Sequence, residues 1–168
     1  MSLTMYTATV PTCTRSLNSL AAILEKAVAH AEARKIDPTA LLGTRLFPDM
    51  FPLATQIHIA NDIAQGGAAR LAGAQVPAFE AKERNFAEWI RATHGTIAYL
   101  ESLKPAQFEG SEDRTITWQT RTSTKNMQGT PYLFHHVLPN VFFHVTTAYD
   151  ILRQSGLEIG KLDYLGRA

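Results

Sequence analysis

Apolar residues recur at three- and four-residue steps in four separate stretches of this chain, a spacing that confines it to a helical architecture. In the first stretch Leu17, Leu20, Ala21, Leu24, Ala27, Val28 and Ala31 make one stripe, with Arg15, Asn18, Glu25, Lys26 and Glu32 opposite. The pattern predicts a helix that begins before Pro11 and ends near Lys35, because Ile36-Asp37-Pro38 cannot continue it. A connector follows over residues 38–48, with a short turn through Thr39 to Leu42. Asp49 then reads as an N-cap for a second helix from Met50 to Leu71, stopped by Gly73.

A third helix is expected from about Glu80 to Leu103, with Phe86, Trp89, Ile90, Ile97 and Leu100 as its stripe and Lys104-Pro105 ending it. The following thirty residues change character. Thr115 to Trp118 alternates polar and apolar, Arg121 to Lys125 is rich in threonine and serine, and Asn126-Met127-Gln128-Gly129 supplies turn residues. That reads as a short β-hairpin or two extended segments. Thr130 as cap and Pro131 at the first helical position open a fourth helix, which runs to Ser155 with Gly156 as C-cap. The tail, Leu157 to Ala168, packs back on the helices or on a partner. Helices of roughly 22 to 26 residues are about 35 Å long, the dimensions of a four-helix bundle. The expected fold is therefore all-α, with a hairpin or extended insertion before the last helix and one domain over residues 1–168. Long linkers after the first and third helices permit crossovers.

Composition narrows the partners. Sixteen basic residues against fifteen acidic, at 18% charged overall, leave no basic excess for nucleic acid. No stretch approaches the roughly 18 consecutive apolar residues of a membrane helix. The N-terminus lacks a basic region followed by an apolar one, so a cytoplasmic protein is expected. A lone Cys13 cannot form an internal disulfide and reads as a buried core thiol in a reducing compartment.

Candidate functional residues come from placing the helices on a wheel. With His144 at zero, Leu133, Val137, Val141, Ala148 and Ile151 all fall within about 60° of it. His144 thus sits at the centre of an apolar stripe with Asn140 one turn earlier, while His135, Pro139, Thr146, Asp150 and Arg153 lie opposite. A polar group there needs a partner, and two readings stand. In one, His144 bonds a group on a facing helix and Asn140 caps the carbonyl freed by Pro139. In the other, the pair at i, i+4 is a ligand or catalytic set. On the second helix His58, Asn61, Asp62 and Gln65 form one polar stripe. It is either a solvated face or the wall of a cleft facing His144. In the cleft reading Asp62 fixes the His144 tautomer, or His58 shares a metal with His144. His30 and His94 fall on helix flanks, and His135-His136 point about 100° apart and cannot chelate together.

Several runs also resemble the DUF1993 family. These are Met5-Tyr6, Pro48 to Leu53, Ala68 to Gly73, Phe108-Glu109-Gly110, the long stretch Leu138 to Arg153, Gly160-Lys161 and Asp163 to Gly166. More distantly the layout resembles the DinB/YfiT-like superfamily of four-helix bundles. That resemblance implies a homodimer, a small-molecule ligand and a divalent metal such as Zn or Ni, held by one histidine of the second helix and an HxxxH on the last. Here His144 matches the second position of that motif, Asn140 stands at the first, and His58 is the second-helix candidate. The resemblance also implies thiol-dependent transfer or isomerisation; in the cleft reading His144 then acts as base or metal ligand, with Asp62 orienting it and Asn140 positioning substrate or water. The alternative is a non-enzymatic dimeric binding or structural bundle that has lost the metal triad.

Overall fold

In a computed structural model of the chain, residues 3–78, 85–120 and 122–166 are described. The first helix, α1, spans Met5–Arg34, opened by a Thr4 side chain that accepts from the Thr7 N–H and closed by Lys35 in the left-handed region. Pro11 sits in its second turn. A short α2, Pro38–Gly43, is capped by Asp37. The second long helix, α3, is Leu53–Leu71. Its start is three residues later than Asp49 and Met50 suggest. Pro52 is the reason: the residue before a proline is excluded from helical geometry, so Phe51 cannot be an interior helical residue.

The expected start of the third helix at Glu80 lies outside the described residues. The described helix, α4, is Phe86–Ser102, with an Asn85–Glu88 capping box at its start. A 3₁₀ turn over Pro105–Phe108 leads to an antiparallel hairpin of β1, Thr115–Gln119, and β2, Thr124–Gln128. Thr115 pairs with Gln128 and Gln119 with Thr124. The turn therefore falls at residues 120–123, not at Asn126 to Gly129. Two features place it there. The Thr120 hydroxyl accepts from the Ser123 N–H at 3.0 Å, an ST-type closure. Met127 is also needed opposite the buried Ile116.

The last helical rod runs from Gly129 to Gln154 as α5 (Gly129–Tyr132), a π turn (Leu133–Val137) and α6 (Leu138–Gln154). Helix begins at Gly129, one residue ahead of the expected Thr130 cap; a Cβ at Gly129 would lie 1.7 Å from the Ser111 carbonyl oxygen. Pro139 accounts for the wide turn. It lacks an N–H, and its ring clashes with the carbonyl four residues back, so the helix widens and the Leu138 N–H reaches Leu133. A short α7, Lys161–Leu165, follows, and its segment returns onto α1.

Around the core, α1 packs on α4 and α6, and α3 packs on α6 and α4. The first two long helices are therefore diagonal to each other, as the long linkers permit. Leu17, Leu24, Leu53, Ile57, Leu100, Leu133 and Ile151 fill the centre with no more than 1% exposure. Gly67 lets α3 approach the π turn, since a Cβ there would lie 2.7 Å from the Val137 methyls. Cys13 is fully buried, as expected, and burial pushes its thiol up to about 12. Among the described residues no helix is long and apolar enough to cross a membrane.

Candidate functional site

His144 is buried at 8% exposure between α6 and α3, and its Nδ1 lies 2.6 Å from Oε1 of Gln56. Gln56 is itself held: its Nε2 donates to the Phe51 carbonyl at 3.0 Å. With the amide nitrogen committed there, Oε1 faces the ring as an acceptor and His144 Nδ1 carries the proton. Burial pushes the His144 pKa below the ordinary imidazole range. The ring is thus neutral at pH 7, with its lone pair on Nε2. Its edge meets the Phe143 ring, the centroids 5.2 Å apart.

The other expected partners go elsewhere. Asp62 is exposed on α3, so the group that orients His144 is Gln56 and not Asp62. His58 is half-buried and presents its ring edge to Trp89 of α4, at 6.3 Å. Two residues beyond Gln56, it lies about 200° round the helix and faces another neighbour. Asn61 and Gln65 are neither solvated nor turned to His144. Asn61 donates to the Thr93 hydroxyl at 3.1 Å, and Gln65 accepts from Thr96 at 3.4 Å, so both stitch α3 to α4. Asn140 is half-buried and folds its amide back onto the His136 carbonyl, 2.6 Å away. Of the expected set, the structure brings His144 and Asn140 to one face of α6 and leaves Asp62 and His58 off it.

Gln56 escapes a reading that looks for polar stripes because it stands alone. The signal that marks it is the one that marks His144: a single polar residue inside an apolar stripe, here between Leu53 and Ala60. A second cluster also escapes notice. Trp118 of β1 packs against His136, with centroids 4.7 Å apart, and His136 stacks on Tyr132 at 5.3 Å and 27°. The Tyr132 hydroxyl accepts from Arg70 of α3. Burial and the Arg70 charge both push the His136 pKa down.

The donor set at His144 does not fit the metal the resemblance implies. One imidazole and two amides, each amide donating to a backbone carbonyl, are poor ligands for Zn or Ni. Among the described residues no group of three or more His, Cys, Asp or Glu side chains is placed to hold an ion. Two cavities lie elsewhere. One of about 500 Å³ adjoins the start of α1 and the 3₁₀ turn, and one of about 1250 Å³ runs between α1 and the α7 segment.

A family described as a domain of unknown function, DUF1993, matches residues 5–165, nearly the whole bundle. The chain belongs to the DUF1993 family. The crystal structure of a DinB family member protein from Shewanella denitrificans is 39% identical, with a TM-score of 0.90 over 97% of this chain and 92% of that one. The DUF1993 bundle described above is thus a DinB-like fold carrying a hairpin. None of the curated proteins matches the chain.

Proposed function

We propose that this DUF1993 protein is a metal-independent, non-enzymatic bundle, a homodimeric binding or structural protein in which an amide–imidazole pair stands where the superfamily's metal triad would be. The donor set carries this reading, because among the described residues no group of three or more His, Cys, Asp or Glu side chains is placed to hold an ion, and His144 has an amide, Gln56, as its partner from the facing helix. The buried bond between the two joins α3 to α6 and specifies their register. Support for a homodimer comes from Phe47, Phe51 and Phe143, which are 64%, 56% and 55% exposed, Phe51 and Phe143 flanking the pair. The buried, unpaired Cys13 suits a cytoplasmic protein.

Elemental analysis of untagged protein, with light scattering, tests the reading. The expected result is no stoichiometric metal and a mass twice 18.5 kDa. One metal per chain, lost in His144→Ala without loss of stability, would overturn it.

One detail supports a second reading. The lone pair on His144 Nε2 suits a general base, with Gln56 as its positioning residue and Asn140 as a substrate or water contact. That reading fits the thiol-dependent transfer or isomerisation the superfamily resemblance implies. Thiol-dependent turnover abolished by His144→Ala, with a pH profile displaced in Gln56→Ala, would favour it over the first.

A further inference from the structure

The C-terminal segment is joined to the bundle in two different ways. Leu157 and Ile159, at 3% and 4% exposure, anchor the chain in the core where it leaves α6. Beyond them α7 has no buried residue, and Leu162 and Leu165 stand 79% and 42% exposed. The change comes at Gly160, where nothing lies within 4 Å of the position a Cβ would take. Gly160 is thus a free joint between an anchored stretch and an unanchored one.

Polar contacts hold α7 down. Lys26 of α1 pairs with Asp163 at 2.5 Å, Arg15 Nε donates to the Leu165 carbonyl at 2.9 Å, and Thr146 donates to the Tyr164 hydroxyl at 3.1 Å. The Tyr164 ring adds an edge contact to Tyr149 of α6, the centroids 6.2 Å apart. Exposed contacts of this kind each contribute little, and an ion pair at the surface weakens with salt. An element held without a buried side chain opens at a free energy well below that of the whole bundle.

One carboxylate makes that opening cooperative. Asp163 Oδ1 meets Lys26, while Oδ2 accepts from the Gly160 N–H at 2.8 Å and holds the first turn of α7. Attachment and helix therefore form and fail together. In the closed position α7 makes one wall of the cleft of about 1250 Å³, facing Tyr6, Val10 and Asn18 of α1. Gly166 sits against Ser19 of α1, since a Cβ at Gly166 would lie 3.0 Å from that hydroxyl. We propose that α7 is a salt-sensitive latch, which swings about Gly160 and lifts from α1 as a unit while the bundle stays folded.

Amide hydrogen exchange of the unaltered protein tests the latch. The α7 amides should be at least about a hundredfold less protected than those at the centre of α1. Raising sodium chloride from about 0.01 M to about 1 M should lower α7 protection about threefold and leave α1 as it was. Lys26→Met should show the lower protection already at low salt and lose the salt response. Asp163→Ala, which gives up both clip and cap, should lower it about tenfold with little change in melting temperature. A thiol introduced by Ser19→Cys should react with iodoacetamide faster than Cys13 on the same helix. Equal protection in α7 and α1, a salt response that survives Lys26→Met, or equal labelling of the two thiols would each overturn the proposal.

Discussion

His144 of α6 and Gln56 of α3 meet through a 2.6 Å bond, 88 residues apart in the chain, with the amide held from behind by the Phe51 carbonyl. Removing either partner strands the other in a dry contact. His144→Ala and Gln56→Ala are each expected to lose about 1–3 kcal/mol, a fall of several degrees in melting temperature. The double variant should cost less than the sum, and chemical denaturation of all four proteins measures that coupling.

The pH dependence follows from the depressed His144 and His136 values. Each has a folded pKa below the unfolded value of about 6.5, so the unfolded chain binds more protons as pH falls. The stabilisation is complete above the unfolded pKa and is lost as pH drops through the folded values. Melting temperature should fall from pH 7 towards pH 5. The His144→Gln, His136→Gln double variant should show a flatter profile across that range.

Gly67→Ala should destabilise by about 1–3 kcal/mol, because its methyl would press on Val137 at 2.7 Å. Val137→Ala opens that space at the cost of a small cavity. Thermal melts of the pair should show the glycine variant tolerated far better in the Val137→Ala background.

Cys13 should be inert in the folded protein. With no exposure and a thiol pushed up to about 12, it presents almost no thiolate at pH 8. Iodoacetamide labelling followed by mass spectrometry should proceed at the rate of global unfolding and become fast in denaturant.

Much of the bundle was legible because helix periodicity, proline and glycine are local signals. The stripe from Leu17 to Ala31, the stop at Gly73 and the reach of the last helix to residue 154 all follow from near neighbours in sequence. The site was legible in half. His144 stands out because its own helix is apolar around it. Its partner depends on which face of α3 meets α6, a property of packing between distant segments. Asn61 and Gln65 show the same limit, since the threonines that satisfy them lie on α4. The hairpin turn was misplaced because Asn126 to Gly129 has turn composition, while cross-strand pairing opposite Ile116 and Trp118 decides the register.

The π turn at Leu133–Val137 acts as a phase shifter in the last helical rod. One surplus residue per turn rotates everything upstream by about 100° relative to α6. Tyr132, and the hairpin whose Trp118 rests on it, owe their side of the bundle to that rotation. A single-residue deletion within the turn, combined with replacement of Pro139 by alanine, would restore ordinary helix and carry the hairpin to a different face, leaving the core residues of α6 where they are. Relatives that differ in length by one residue at this point would thus share a core and display their insertion in different directions.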